Sequence, residues 1–275
     1  MAIKLQNLEP IEGLGTFWYF ELERGRELQI LPILKNTIRE FNQNYSRFDE
    51  NSLVSQLNKN KELEVDNEEF IELLRLGIIY YTKTNKIFNF LLEGQLTNLG
   101  YDKDYTFQEK NNQLKLPSPS LDLIIQNKTI FLKKGGVDFG GFGKGFLIDK
   151  ISKILQSQFQ LQNFIINAGG DIFCHTKEAQ SFHLQHPTKK SQSIGQIEIS
   201  NSAIASSSTF LRNWNTNKGK NKNHLINPFT QDSIEPSAVF VTSNTAVEAD
   251  MWATTIAIAN EKQIHEFQKN TLLSI

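Results

Sequence analysis

"KKGGVDFGGFGKGFLIDKI" spans Lys133–Ile151, and six of the chain's 16 glycines crowd into it between Gly135 and Gly145. Average usage would place fewer than about one in so short a window. Glycine lets a backbone take positive φ and come close to a bulky group. The loop also carries an acid, Asp138, and a base, Lys144. It leads directly into apolar positions Leu147, Ile148, Ile151, Ile154 and Leu155, whose spacing predicts a helix over Phe146–Leu155. A helix N-terminus offers N–H groups and a partial positive charge that suit phosphate, and Lys144 would add a full charge beside it. A tight turn with close backbone packing would use the same glycines, but their density favours the anion-binding reading.

Two nucleotide motifs fail at this loop. A Walker A loop ends Gly-Lys-Ser/Thr, whereas Gly143-Lys144 is followed by Gly145 and Asp138 stands where the first glycine belongs. The spacing of "GGFGKG" is not that of a dinucleotide fingerprint.

Outward from the loop, "LDLIIQNKTIFLKK" (Leu121–Lys134) predicts a β-hairpin turning at "QNK". "GTFWYFELE" (Gly15–Glu23) reads as a strand, and Leu31, Ile33, Leu34, Ile38 and Phe41 mark an amphipathic helix. "YSRFDENSLVSQLN" (Tyr45–Asn58) reads as a loop entering a short helix capped by Asn51 or Ser52, with a second helix over Glu68–Thr84. "LLEGQLTNLGYD" (Leu91–Asp102) suits a loop lying against a pocket. Strands and loops dominate from Phe164 to Val241, and a helix closes the pattern over Asn244–Asn260. Helices and strands mix without regular βαβ alternation, which predicts an α+β fold.

With 275 residues, 39% of them hydrophobic, the chain can bury a large core, as one domain over 1–275 or as two intimately joined lobes. A formal net charge of −1 provides no global field for nucleic acid or an anionic membrane. The basic cluster Lys218–Lys222 reads as a solvated loop. The single cysteine, Cys174, excludes an internal disulfide framework and a cysteine-rich zinc site. No run approaches the roughly 20 apolar residues of a membrane span, and the start as given carries no secretory signal.

The helix "NTAVEADMWATTIAIAN" is almost wholly small and apolar, yet holds Asp250 and Thr254 four residues apart on one side. A buried carboxylate needs a partner. A hard cation such as Mg²⁺ would accept Asp and Thr oxygens and complete its shell with phosphate and water. Alternatively, Asp250 pairs with a lysine or caps a neighbouring loop while Thr254 bonds back to its own helix. His183 and His186 lack metal-site spacing. His224, in "KNHLINPFT", could take a proton from an attacking hydroxyl if held near phosphate, or be a plain loop residue. "ASSSTF" (Ala205–Phe210) has no nucleophile elbow and reads as hydroxyl donors or turn residues.

In order, "LGT" (Leu14–Thr16), "SRFDENSLVSQLN" (Ser46–Asn58), "NLGY" (Asn98–Tyr101), "DFGGFGKGF" (Asp138–Phe146), "NAGGDI" (Asn167–Ile172), "ASSS" (Ala205–Ser208), "HLINPFT" (His224–Thr230) and "ADMWAT" (Ala249–Thr254) resemble the FAD:protein FMN transferases, the ApbE family. The resemblance implies a T-fold-related arrangement of mixed sheets and packed helices, with FAD in a cleft between two joined lobes. It implies a Mg²⁺-dependent transfer of FMN from FAD to a threonine or serine hydroxyl of a target protein, releasing AMP. Acceptors would carry an Asp-x-x-Ser/Thr-Gly-Ala-Thr/Ser type of motif, often in membrane redox subunits. Asp250, Thr254 and the backbone carbonyl of Gly141 match metal ligands. Asp138 and Lys144 match flavin-nucleotide positions. Leu14, Tyr45, Ser46, Leu99, Gly100 and Tyr101 match positions around the flavin. His224 matches the proposed base that activates the acceptor hydroxyl, so His224 and Asp250 are the catalytic candidates the resemblance implies.

Departures accompany the match. Asn227 replaces an aspartate, Gln231 a glycine and Ser208 a glycine; Ala253 stands where some relatives carry a further acid, and the tryptophan often found after Asn-Leu is missing. Two rival functions follow: an FAD pyrophosphatase giving FMN and AMP, and a flavin-binding protein without turnover. Location is expected to be cytoplasmic as the chain is written, or periplasmic, as is typical of the family, had a leader been trimmed.

Overall fold

Trp18, Phe20 and Leu22 alternate along one strand with Phe17 and Tyr19; the first three are fully buried, and the other two are half exposed. Period-two alternation of this kind buries one face of a sheet. In the computed structural model, which describes residues 5–110, 112–189, 191–210, 213–219, 221–235 and 238–270, this is strand Thr16–Glu23. The described residues fall into two compact units, one drawing on 5–42, 141–207 and 238–253 and the other on 43–140, 208–235 and 254–270.

The first unit is organised by a seven-stranded sheet running Leu5–Asn7, Thr16–Glu23, Phe164–Ala168, Asp171–His175, Ser202–Ser208, Ala238–Ser243, with Ile11–Gly13 also paired to Thr16–Glu23. Antiparallel register sets Trp18 opposite Ala168, Phe20 opposite Ile166 and Leu22 opposite Phe164. Helix Gly143–Ser157 buries Leu147, Ile148, Ile151 and Leu155 and packs on strands Phe164–Ala168 and Asp171–His175. It begins three residues earlier than its apolar spacing predicts, taking Gly143, Lys144 and Gly145 into its first turn. Close approach explains this start. A Cβ on Gly145 would sit 2.4 Å from the carbonyl oxygen of Ala246, where only glycine fits.

The second unit holds helices Leu53–Asn60 and Glu68–Lys83 and the three-stranded sheet Glu62–Glu64, Thr129–Leu132, Leu123–Gln126. The predicted hairpin and both helices are present, and Ser52 is the residue that caps, accepting from the Ser55 N–H at 3.0 Å. Phe90 stacks on Phe139, which meets Tyr45 and Phe70 edge-on. Leu91–Asp102, expected as a loop, instead contains helix Glu93–Asn98. Its apolar residues have a place to go, because Leu92, Leu96 and Leu99 cluster with Trp214 and Ile226. The basic cluster is likewise not a solvated loop throughout. Lys222 lies in strand Asn221–Asn223, is 6% exposed and is paired with Asp232. "ASSS" is no turn; it belongs to strand Ser202–Ser208.

Among the described residues no helix is long and apolar enough to cross a membrane. The mixture of helices with antiparallel sheets is α+β.

Gly77, inside helix Glu68–Lys83, tests the packing. A Cβ there would come within 2.6 Å of the Phe90 ring. Gly77→Ala should therefore destabilise the protein by about 1–3 kcal/mol despite the roughly 1 kcal/mol helix-propensity gain of alanine, measured by urea unfolding.

Candidate functional site

The site residues form two groups, one in each unit. In the first unit, the start of helix Gly143–Ser157 receives the carboxylate of Asp250. Its Oδ2 accepts the Gly145 N–H at 3.0 Å and lies 3.5 Å from the Lys144 ammonium. Lys144 is also paired with Asp171, whose Oδ1 accepts the Ser206 N–H at 3.1 Å. One lysine thus stands between two carboxylates that are almost wholly buried; Asp250 is 2% exposed. Burial pushes the Asp250 carboxyl up, the Lys144 charge pulls it back and the Asp171 charge raises it again, to about 6.

Asp250 is held in place by the alanine-rich helix Ala246–Ile258; Thr254, farther along that helix, falls in the second unit. That helix is anchored at its start by Asp149, whose carboxylate accepts the N–H groups of Ala246 and Val247, both at 2.9 Å. Burial is the main force raising the Asp149 carboxyl above its ordinary range. Leu14 occupies the turn between strands Ile11–Gly13 and Thr16–Glu23 with φ +54°. Thr16, two residues on, packs so closely on Gly169 that a Cβ there would meet its hydroxyl at 2.3 Å. Gly141 lies just before the helix.

In the second unit, Asp138 accepts the Gly140 N–H at 2.7 Å through Oδ1, and its Oδ2 lies 2.8 Å from Nε of Arg47. Arg47 also donates to the Tyr101 carbonyl at 2.9 Å. Tyr101 stacks on Trp214 with ring centroids 5.3 Å apart, and the Trp214 N–H donates to the Leu99 carbonyl at 3.0 Å. Gly100 takes φ +93°, and a Cβ there would strike the Phe107 backbone at 2.6 Å. The Tyr45 hydroxyl is bonded to Asn67 and Glu69, while Ser46 Oγ accepts the Phe48 N–H. His224 is half-buried in the bend between strands Asn221–Asn223 and Ile226–Asn227.

Sequence reasoning assigned no role to Arg47, Asp171 or Asp149. The signals were present: Asp171 closes the quoted "NAGGD", Arg47 is flanked by Ser46 and Phe48, and Asp149 lies within the opening stretch. Each acts through a partner far along the chain, so spacing alone could not assign it.

Among the described residues no three His, Cys, Asp or Glu side chains gather to hold a metal. A cation here would need donors of another kind. Among the described residues, Asp250 meets both Lys144 and Gly145 through Oδ2. A carboxylate oxygen is a hard donor, of the kind that suits Mg²⁺ rather than zinc.

Fold and site together define an α+β protein with a glycine-lined, cation-bearing helix start suited to a phosphorylated ligand. The sequence model of the ApbE family matches residues 14–274, and the chain belongs to that family. An FAD:protein FMN transferase of Buchnera aphidicola is 27% identical over 95% of this chain and 81% of its own length. One from Escherichia coli K12 is 21% identical over 96% and 82%. The ApbE protein of Thermotoga maritima superposes with a TM-score of 0.84 at 19% identity, covering 97% of this chain and 91% of that one. The apo flavinyl transferase ApbE of Pseudomonas stutzeri gives 0.81 at 14% identity, over 98% and 90%.

Asp171→Asn removes a negative neighbour from Asp250. The Asp250 carboxyl of the metal-free protein should then titrate below its present value of about 6, read by carboxyl-carbon NMR.

Proposed function

We propose that this chain is an FAD:protein FMN transferase that moves the FMN half of FAD onto a serine or threonine hydroxyl of a partner protein, with Mg²⁺ bound and AMP released. The observation that carries the reading is the Asp250 carboxylate fixed on the Gly145 N–H beside Lys144. The arrangement brings a hard oxygen ligand, an ammonium and a helix N-terminus to one place, as a pyrophosphate and its counter-ion require. Phe142, at the N-cap, supplies no side-chain bond to the first turn. Family membership and the named activity of the relatives support the same reading.

Asp250 Oδ1, the Thr254 hydroxyl and the Gly141 carbonyl would hold the metal. When bound, Mg²⁺ neutralises charge on the diphosphate oxygens. The remaining work belongs to the chain. Lys144 shares the negative charge of the transferring phosphoryl group, and Asp171 keeps its ammonium in place. His224 takes the proton from the acceptor hydroxyl as its oxygen bonds to the FMN phosphorus. The phosphorus–oxygen bond to AMP breaks in the same displacement, and AMP leaves with the bridging oxygen. The acceptor is a protein segment of the Asp-x-x-Ser/Thr-Gly-Ala-Thr/Ser type.

The test mixes the protein with FAD, Mg²⁺ and a peptide of that type. Covalently labelled peptide and equimolar AMP are expected; FMN and AMP without label would make the protein a pyrophosphatase, and intact FAD throughout would make it a binding protein. Asp250→Ala should abolish Mg²⁺-dependent labelling, and His224→Ala should slow it by about 10²–10⁴-fold while FAD still binds.

A further inference from the structure

Arg47 is a guanidinium with a 4% exposed side chain that joins two segments far apart in sequence. It lies 2.8 Å from the Asp138 carboxylate and donates to the Tyr101 carbonyl at 2.9 Å. Its Cζ sits 4.1 Å from the Phe48 ring centroid and 4.9 Å from that of Tyr101. The Tyr101 ring is in turn backed by Trp214, and Phe48 stacks on Tyr105. Charge, hydrogen bond and ring contacts thus fix the plane of one side chain. Burying a guanidinium carries a desolvation cost, met here by the carboxylate.

The pairing with Asp138 has a particular form. Although Nε lies 2.8 Å from Oδ2, its N–H makes no directed hydrogen bond, so the attraction is mainly Coulombic. Oδ1 accepts the Gly140 N–H, which orients the carboxylate. Oδ2 keeps lone pairs for a further donor.

We propose that Arg47 is a positioning residue for FAD: it ties Asp138 of the glycine loop to the Leu99–Tyr101 segment and so presents the Asp138 carboxylate to the dinucleotide in one orientation. This rests on the FAD-binding part of the proposed function and deepens it, because it assigns FAD affinity, rather than the transfer step, to a residue that need not touch the ligand. A lysine retains the charge but lacks the planar fork that reaches Asp138 and the Tyr101 carbonyl together.

The test measures FAD binding by fluorescence quenching, alongside the melting temperature and kcat at saturating FAD. For Arg47→Lys the expected result is a Kd for FAD weakened by about tenfold or more, with kcat and melting temperature close to wild type. Adding Arg47→Lys to Asp138→Asn should weaken binding no further than Asp138→Asn alone. An unchanged Kd in folded Arg47→Lys, a loss confined to kcat, or full additivity in the double variant would overturn the assignment. Should Arg47→Lys not fold, Arg47→Gln decides in its place: weakened FAD binding with kcat near wild type supports the assignment, and wild-type affinity ends it. Wild-type protein that binds FAD without labelling peptide would sink the transferase reading yet leave this comparison decisive. Wild-type protein that binds no FAD would sink both.

Discussion

A carboxylate almost without solvent, on a helix made of alanine and other small apolar residues, is the constraint from which the first unit follows. Asp250 must be compensated or protonated, and the chain answers with a backbone N–H and a lysine from the start of a single helix. That answer demands close approach of two helix starts, which explains Gly145 against the carbonyl of Ala246. It also demands that the approaching helix be held in register, and Asp149 does so from the same helix as Lys144. Glycine content, alanine content and the placement of three acids are consequences of one electrostatic requirement.

Lys144 is the other half of that requirement. A single lysine beside two buried carboxylates leaves a net negative charge when both acids are ionised, and burial resists such a state. The Asp250 carboxyl is accordingly raised to about 6. A divalent cation would relieve the excess, and Lys144 could then turn more of its charge towards a phosphate. A cation held here, as proposed, would draw its remaining negative oxygens from a bound diphosphate.

Much of this was legible in the sequence because it is periodic or compositional. The alternation of "TFWYFELE" marks the central strand, the "QNK" turn marks the hairpin, and the apolar spacing after the glycine cluster marks helix Gly143–Ser157. What escaped detection was long-range. Arg47 is 91 residues from Asp138 and Asp171 is 27 from Lys144, and a side-chain partner at such separation leaves no periodic trace. The helix Glu93–Asn98 escaped for a different reason: glycine and polar residues imitate a loop, and only Leu92, Leu96 and Leu99 meeting Trp214 reveal the buried face. Lys222 shows the converse, a basic residue in an apparently solvated run that the hairpin carries inward to Asp232.

Departures from the family pattern can be judged by the same physics. Asn227 stands where the pattern the sequence resembles has an aspartate, and its Oδ1 accepts the N–H of Phe229 at 2.9 Å and of Thr230 at 3.3 Å. An amide oxygen performs that turn-closing task as a carboxylate would, so the substitution preserves the loop and removes only a charge. Gln231 stands where the pattern the sequence resembles has a glycine, and it takes a φ of +56°. Holding a side-chain-bearing residue there costs on the order of 1 kcal/mol, and its N–H bonds the Asn227 carbonyl at 2.8 Å in partial recompense. Asn227 through its amide oxygen and Gln231 through its N–H thus both close the turn just after His224.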